Sequence, residues 1–235
     1  MTPTDLAADD MLFALETRSL PVAGTARRFP IRRVFCVGRN YSDHAREMGH
    51  DPDREPPFFF MKPAEAVTEP GTRFRYPALS SDVHHEIEMV VALHGGGKDI
   101  PVDAALQHVF GYAVGLDMTR RDLQAEAKRL QRPWDSAKAF DGSAPCGPLV
   151  RASEIGHPTR GTITLAVNGE IRQSGGIEHM IWSVPEIISV LSTLFELRAG
   201  DLLMTGTPAG VGAVRRGDHL RGEIAGIGHL AVDVD

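Results

Sequence analysis

The alternation of apolar and polar positions predicts many short strands and few helices. Ile31 to Val37, Phe58 to Met61, Val109 to Leu116 and Asp201 to Met204 are short apolar runs bounded by turn residues, and they read as strands. Thr162 to Val167 and Glu170 to Gln173 flank Asn168-Gly169, the dipeptide favoured in two-residue hairpins. A helical period appears in fewer places. Val102 to His108 forms one short helix, and Asn40 or Ser42 caps another that ends at Gly49. Thr119-Arg120-Arg121-Asp122 resembles a capping box opening a helix to about Leu130, before Pro133. Ser183-Val184-Pro185-Glu186 is a second box, and Ile187, Val190, Leu191 and Leu194 mark the buried stripe of a helix running on to Gly200. Residues 1–30, punctuated by Pro3, Pro21, Gly24 and Pro30, read as a loose N-terminal arm with at most a short strand. With no repeat, low-complexity tract or linker, residues 31–235 form one domain of α+β class, mostly β.

One run departs from simple alternation. His84 to Leu93 is a strand whose two faces both continue apolar past Glu88, through Val90 and Ala92 on one side and Met89, Val91 and Leu93 on the other. It should therefore be covered by protein on both sides. Glu86 and Glu88 share a face, where two carboxylates repel and lose hydration. Either a divalent cation sits between them, or the strand is a wet edge and the acids are solvated. His44 and Glu47 pose a similar choice. Three apart on a helix, they are a general base with its orienting carboxylate, or a surface pair.

Composition narrows the setting. The chain is 42% apolar and 24% charged, ordinary for a soluble domain, and its net charge of −6 with no basic block argues against nucleic-acid binding. No long apolar run suggests a membrane span, and two cysteines, Cys36 and Cys146, are too few for a disulfide framework, which suits the cytoplasm. His94 with Gly95-Gly96-Gly97 mimics an esterase oxyanion loop, but no Gly-x-Ser-x-Gly elbow exists, which excludes that class of serine hydrolase. Asp117 ends a strand just before a helix, a position suited to a ligand or to a cap.

Motif order then carries a resemblance. Gly38-Arg39-Asn40-Tyr41 with His44 and Glu47, the paired Glu86 and Glu88, Gly115-Leu116-Asp117-Met118-Thr119, Arg121-Asp122-Leu123-Gln124, Trp134 with Lys138, Val167-Asn168-Gly169-Glu170 and the Thr205–Gly212 loop together resemble the fumarylacetoacetate hydrolase family. The resemblance implies a mixed β-sandwich roll forming one catalytic domain, usually a homodimer. It places Glu86, Glu88 and Asp117 on three metal-ligand positions, a hard oxygen set suited to Mg2+ or Mn2+. His44 and Glu47 match the base dyad, Lys62 and Lys138 the site lysines, Arg121 and Gln124 substrate contacts, and Thr207 a group binding the keto-acid carboxylate or enolate. Two departures stand out: His85 precedes Glu86 where an aromatic is common, and Arg120 replaces a small residue. Arg120, Arg39 and His50 are rival contacts for a second substrate carboxylate. The implied reaction is hydrolysis of a C–C bond in a 2,4-diketo acid, with fumarylpyruvate the best fit. Oxaloacetate or muconate-type decarboxylation, or metal binding without catalysis, are the alternatives.

Overall fold

In the computed structural model, which describes residues 12–42 and 56–235, the apolar runs pair into one mixed sheet. Its strands lie in the order β11 (Val150–Arg151), β8 (Val109–Leu116), β7 (Ile87–Leu93), β14 (Asp201–Met204), β3 (Arg33–Gly38) and β4 (Phe58–Lys62). Every neighbouring pair is antiparallel except β14 and β3. A second, antiparallel sheet has the order β13 (Glu170–Gly176), β12 (Thr162–Val167), β16 (His219–Ile224) and β17 (Gly228–Asp233). Asn168 and Gly169 join β12 to β13 with φ of 52° and 86°, both left-handed as that turn requires. Two smaller sheets, β15 (Gly212–Ala213)–β6 (Val83–His85)–β9 (Thr119–Arg120) and β10 (Ala144–Pro145)–β5 (Val67–Thr68), close the roll.

The wet-edge alternative for the acidic strand is excluded. β7 lies inside the sheet and all seven of its residues are buried. Ile87, Met89, Val91 and Leu93 face a core shared with Ile163, Leu165, Leu220 and Leu230 of the second sheet. Val90 and Ala92 face another core on the far side, with Val34, Cys36 and Leu202. Each large apolar side chain so buried contributes about 1.5–3 kcal/mol. That packing holds the strand in place despite the charge on Glu88.

Four sequence expectations need correction. The strand read from His84 to Leu93 is two strands, broken at Glu86. The helix α1 (Arg121–Arg129) is not capped by Thr119, because Thr119 pairs in β9 and its hydroxyl bonds the Asp117 carbonyl. The short helix α2 (Asp135–Lys138) follows it, then α3 (Ala152–Ile155). The helix α4 (Val184–Leu194) has the expected capping box but ends at Leu194, well before Gly200. The arm is not loose from Ser19 onward, although residues 12–18 are exposed and form no helix or strand. β1 (Ser19–Pro21) and β2 (Arg28–Pro30) form a hairpin whose Leu20 and Phe29 enter the second core. His44, Glu47 and His50 lie outside the described residues.

Candidate active site

The break at Glu86 has a structural cause. β6 pairs with β9 and β15, whereas β7 pairs with β8 and β14, so the chain changes sheets between His85 and Ile87. The antiparallel partner does the same between β8 and β9, at Asp117-Met118. The Asp117 N–H bonds the Glu86 carbonyl at 2.8 Å, which locks the two corners together. Gln173 fills the gap in the ladder: its Oε1 accepts from the Ile87 N–H at 3.0 Å, and its amide nitrogen donates to Thr207 Oγ1 at 2.8 Å and to the Pro208 carbonyl at 2.9 Å. A backbone donor on one side and a carbonyl on the other fix the orientation of this amide. His85 Nδ1 then donates to the same Oε1, 2.9 Å away. His85 is a buried scaffold residue that does not line the cleft.

This corner brings Glu86, Glu88 and Asp117 together, with one oxygen from each within 4.8 Å of the others and all three side chains buried. Cations surround them. Lys138, at the end of α2, reaches Glu86 Oε2 at 2.8 Å and Asp117 Oδ2 at 2.7 Å. Arg121, first residue of α1, pairs with Glu86 Oε1 and donates to Gln124 Oε1 at 2.7 Å. Lys62, fully buried at the end of β4, lies 2.8 Å from Asp117 Oδ1 but out of line for a hydrogen bond, so that oxygen has none. Its ammonium bonds Ser143 Oγ at 2.9 Å and the Lys138 carbonyl. Lys62 therefore sits behind the carboxylates and does not line the cleft, whereas Lys138 does.

Glu88 is held differently. Its Oε2 accepts from the Gly206 N–H at 2.7 Å. Gly206 has φ of 92°, and a Cβ there would lie 2.7 Å from Asn40 Cβ, so the close approach requires glycine. Asn40 pins this loop by donating to the Thr205 and Trp182 carbonyls at 2.8 and 2.9 Å, and by accepting from the Trp182 N–H at 2.7 Å. Burial first, then the neighbouring Asp117 and Glu86, push the Glu88 carboxyl well above the usual carboxylate range. Burial alone would lower Lys138; its pairing with Asp117 and Glu86 outweighs burial and raises it. A buried cluster of hard oxygen donors, one lacking any hydrogen bond and another held up by its like-charged neighbours, fits a divalent cation of the Mg2+ or Mn2+ type.

Above this floor lies a cleft of about 460 Å3, including its open mouth. Of the residues singled out from sequence, Arg39, Arg121, Gln124, Thr207 and Lys138 line it together with the three acids. Arg120 does not: its guanidinium lies over the Phe140 ring at 4.2 Å and bonds the Ser136 carbonyl. Sequence reasoning missed Asn40 and Gln173 as scaffold, and Lys128 as a lining residue. Lys128 was findable, since it lies seven after Arg121 and four after Gln124 on the same helical face. Trp134, with Phe58 and Phe60 against its ring, forms an apolar wall.

Such an arrangement defines a protein built to hold a dication and present it to a small anion. The chain belongs to the fumarylacetoacetate hydrolase family: residues 33–235 match the model described as Fumarylacetoacetate (FAA) hydrolase C-terminal. Among solved structures, it is similar to the fumarylpyruvate hydrolase of Pseudomonas aeruginosa in complex with Mn2+ and pyruvate, with 56% identity, a TM-score of 0.93, and coverage of 95% of this chain and 98% of that one. Among sequences, it is 42% identical to the mitochondrial oxaloacetate tautomerase of Rattus norvegicus over 87% of this chain and 92% of that one. It is 38% identical to the mitochondrial oxaloacetate decarboxylase of Dictyostelium discoideum over 83% and 90%. No helix among the described residues is long and apolar enough to cross a membrane.

Proposed function

We propose that this chain is a divalent-metal-dependent hydrolase of 2,4-diketo acids, acting on fumarylpyruvate to give fumarate and pyruvate. The observation that carries the reading is the buried Glu86–Glu88–Asp117 cluster at the floor of a cation-rimmed cleft. The similarity to a fumarylpyruvate hydrolase that binds Mn2+ and pyruvate supports it. Glu86, Glu88 and Asp117 would hold one Mg2+ or Mn2+ ion, which when bound supplies Lewis acidity toward the oxygens of a 2-oxo acid. A homodimer in the cytoplasm is part of this reading.

The chain's own residues divide the remaining work. Arg121 and Lys138 hold the ligand carboxylates in fixed orientation and keep positive charge at the floor. Thr207, oriented by Gln173, offers its hydroxyl to the oxygens of the 2-oxo acid. His44, steadied by Glu47, takes a proton from water as the water oxygen bonds to C4 of the substrate. The C3–C4 bond then breaks, and its electron pair leaves on C3 as the enolate of pyruvate. Protonation at C3 completes pyruvate, and the acyl half departs as a carboxylic acid. The cationic floor offsets the charge that develops on the enolate.

Names of relatives favour a second reading, in which oxaloacetate is tautomerised or decarboxylated. Decarboxylation needs no attacking water, so a base at His44 favours hydrolysis over it, and turnover of the two substrates separates the readings. Protein with Mn2+ is expected to bleach the enol absorbance of fumarylpyruvate, and His44→Ala to abolish this with Mn2+ affinity retained. Turnover of oxaloacetate with fumarylpyruvate untouched would replace the first reading by the second.

A further inference from the structure

Two cations in the cleft are left over once the floor is accounted for. Arg121, Lys138 and Lys62 are all committed to the three carboxylates. Among the described residues, Arg39 and Lys128 also bear positive charge at the cleft, and neither is in an ion pair. Each lies over an aromatic ring instead: Lys128 Nζ is 5.2 Å from the Trp134 centroid, and the Arg39 guanidinium is 5.4 Å from that of Phe58. Both are half-buried. Arg39 is moreover held in the left-handed region, φ 57°, where a non-glycine residue is strained. Its neighbour Asn40, pinned by three hydrogen bonds, maintains that conformation. Burial first, then Arg121 and Arg39, hold the Lys128 ammonium below the usual lysine range, as expected of a positive cluster awaiting an anion.

We propose that Lys128, with Arg39 beside it, receives the distal carboxylate of a dicarboxylic substrate whose 2-oxo acid end lies over Glu86, Glu88 and Asp117. The inference rests on the diketo-acid reading above and sets its acyl preference. Reach supports it. Arg121, Gln124 and Lys128 lie on one face of α1, and Lys128 follows the floor residue Arg121 by seven residues, about 10 Å of helix rise. The two carboxyl carbons of an extended seven-carbon diacid lie about 7–8 Å apart, at carbon–carbon bonds near 1.5 Å. The carboxyl carbons of oxaloacetate are only about 4 Å apart by the same measure, about half that span. Arg120, turned onto Phe140, is excluded from this role.

The test is calorimetric binding to Mn2+-loaded protein, using 2-oxoheptanedioate and 2-oxoheptanoate. Neither has the C4 carbonyl needed for cleavage, and they differ in the distal carboxylate. The parent is expected to bind the diacid at least about tenfold more tightly, the scale of one charge-assisted contact. Lys128→Met should reduce the ratio to about twofold or less, Arg39→Met should reduce it in part, and Lys128→Arg should preserve it. No preference in the parent, or a Lys128→Met variant that keeps it or weakens both ligands equally, would overturn the proposal. The ligands are not turned over, so a preference found in a protein inactive on fumarylpyruvate would leave this inference standing and remove the hydrolase reading alone.

Discussion

Replacing Glu88 by Gln separates the cost of the site from its purpose. The carboxylate is 2% exposed, its direct partner is one backbone N–H, and Asp117 and Glu86 repel it. Without metal, the ionised form is a buried charge with no cation in ion-pair contact, a situation that costs several kcal/mol. Glu88→Gln keeps the shape and one acceptor for Gly206 while removing that charge, so the metal-free variant should unfold at a higher temperature than the metal-free parent. Metal binding should move the other way. At a Mn2+ concentration 100 times Kd, binding stabilises the parent by about 2.7 kcal/mol, which for a chain of this size raises Tm by about 5–10 °C. Losing an anionic ligand is expected to weaken binding at least about 100-fold, so at the same Mn2+ concentration the variant gains about 0.4 kcal/mol and 1–2 °C. Thermal unfolding of both proteins, stripped and Mn2+-loaded, gives all four values. An equal Mn2+ shift in the variant, or a stripped variant less stable than the stripped parent, would refute the reasoning.

Lys138→Met leaves Glu86 and Asp117 buried without their shared partner, and should cost the stripped protein about 3–5 kcal/mol, with part of the loss recovered on adding Mn2+; a stripped variant as stable as the parent in thermal unfolding would count against the charge assignment. The Glu88 carboxyl is raised above 4.5, so its contribution to metal-free stability is complete below that value and is lost as pH rises through the folded value. Metal binding must expel that proton, and Mn2+ affinity should therefore increase with pH, with proton release visible in titrations in buffers of different ionisation heat; an affinity flat with pH would contradict it.

How far the sequence carried this site depended on the scale of the interaction. β8 and β14 have the residues expected of them, because an apolar run between turn residues is a local signal. The Asn168-Gly169 hairpin and the Ser183 capping box were legible for the same reason. Glu86 and Glu88 could be seen to share a face, yet whether that face was wet depended on β14 pairing from more than 100 residues away. The break at Glu86 was invisible, since the composition of His84 to Leu93 suits a strand throughout. Only the exchange of partners between β9 and β8 makes the corner. Thr119 misled in the opposite direction: its local capping pattern is genuine, but pairing with β6 outweighs it. Gln173 carries no local signal and Asn40 only that of a possible cap, as their value lies in reaching segments distant in the chain.

Charge gives the proposed substrate class a physical basis. Among the described residues, the floor balances three carboxylates, Glu86, Glu88 and Asp117, against three cations, Lys62, Lys138 and Arg121. The balance is in number only, because Glu88 is in ion-pair contact with none of the three, and its raised carboxyl follows from that. A dication at the floor then leaves an excess of two positive charges in a poorly hydrated space. The ligand that cancels it is a dianion with both charges at one end, which describes the enolate of a 2-oxo acid: one charge on the carboxylate, one on the adjacent oxygen. A neutral ketone or a simple monocarboxylate leaves the excess partly uncompensated. The charge developing along the proposed reaction is thus the charge the floor lacks, which is the condition for binding the transition state more tightly than the substrate. Arg39 and Lys128 extend the same argument outward. On the proposal that Lys128 receives a distal carboxylate, a third negative charge on the ligand is matched there, so the length of the diacid, and not only its charge, becomes a criterion of selection.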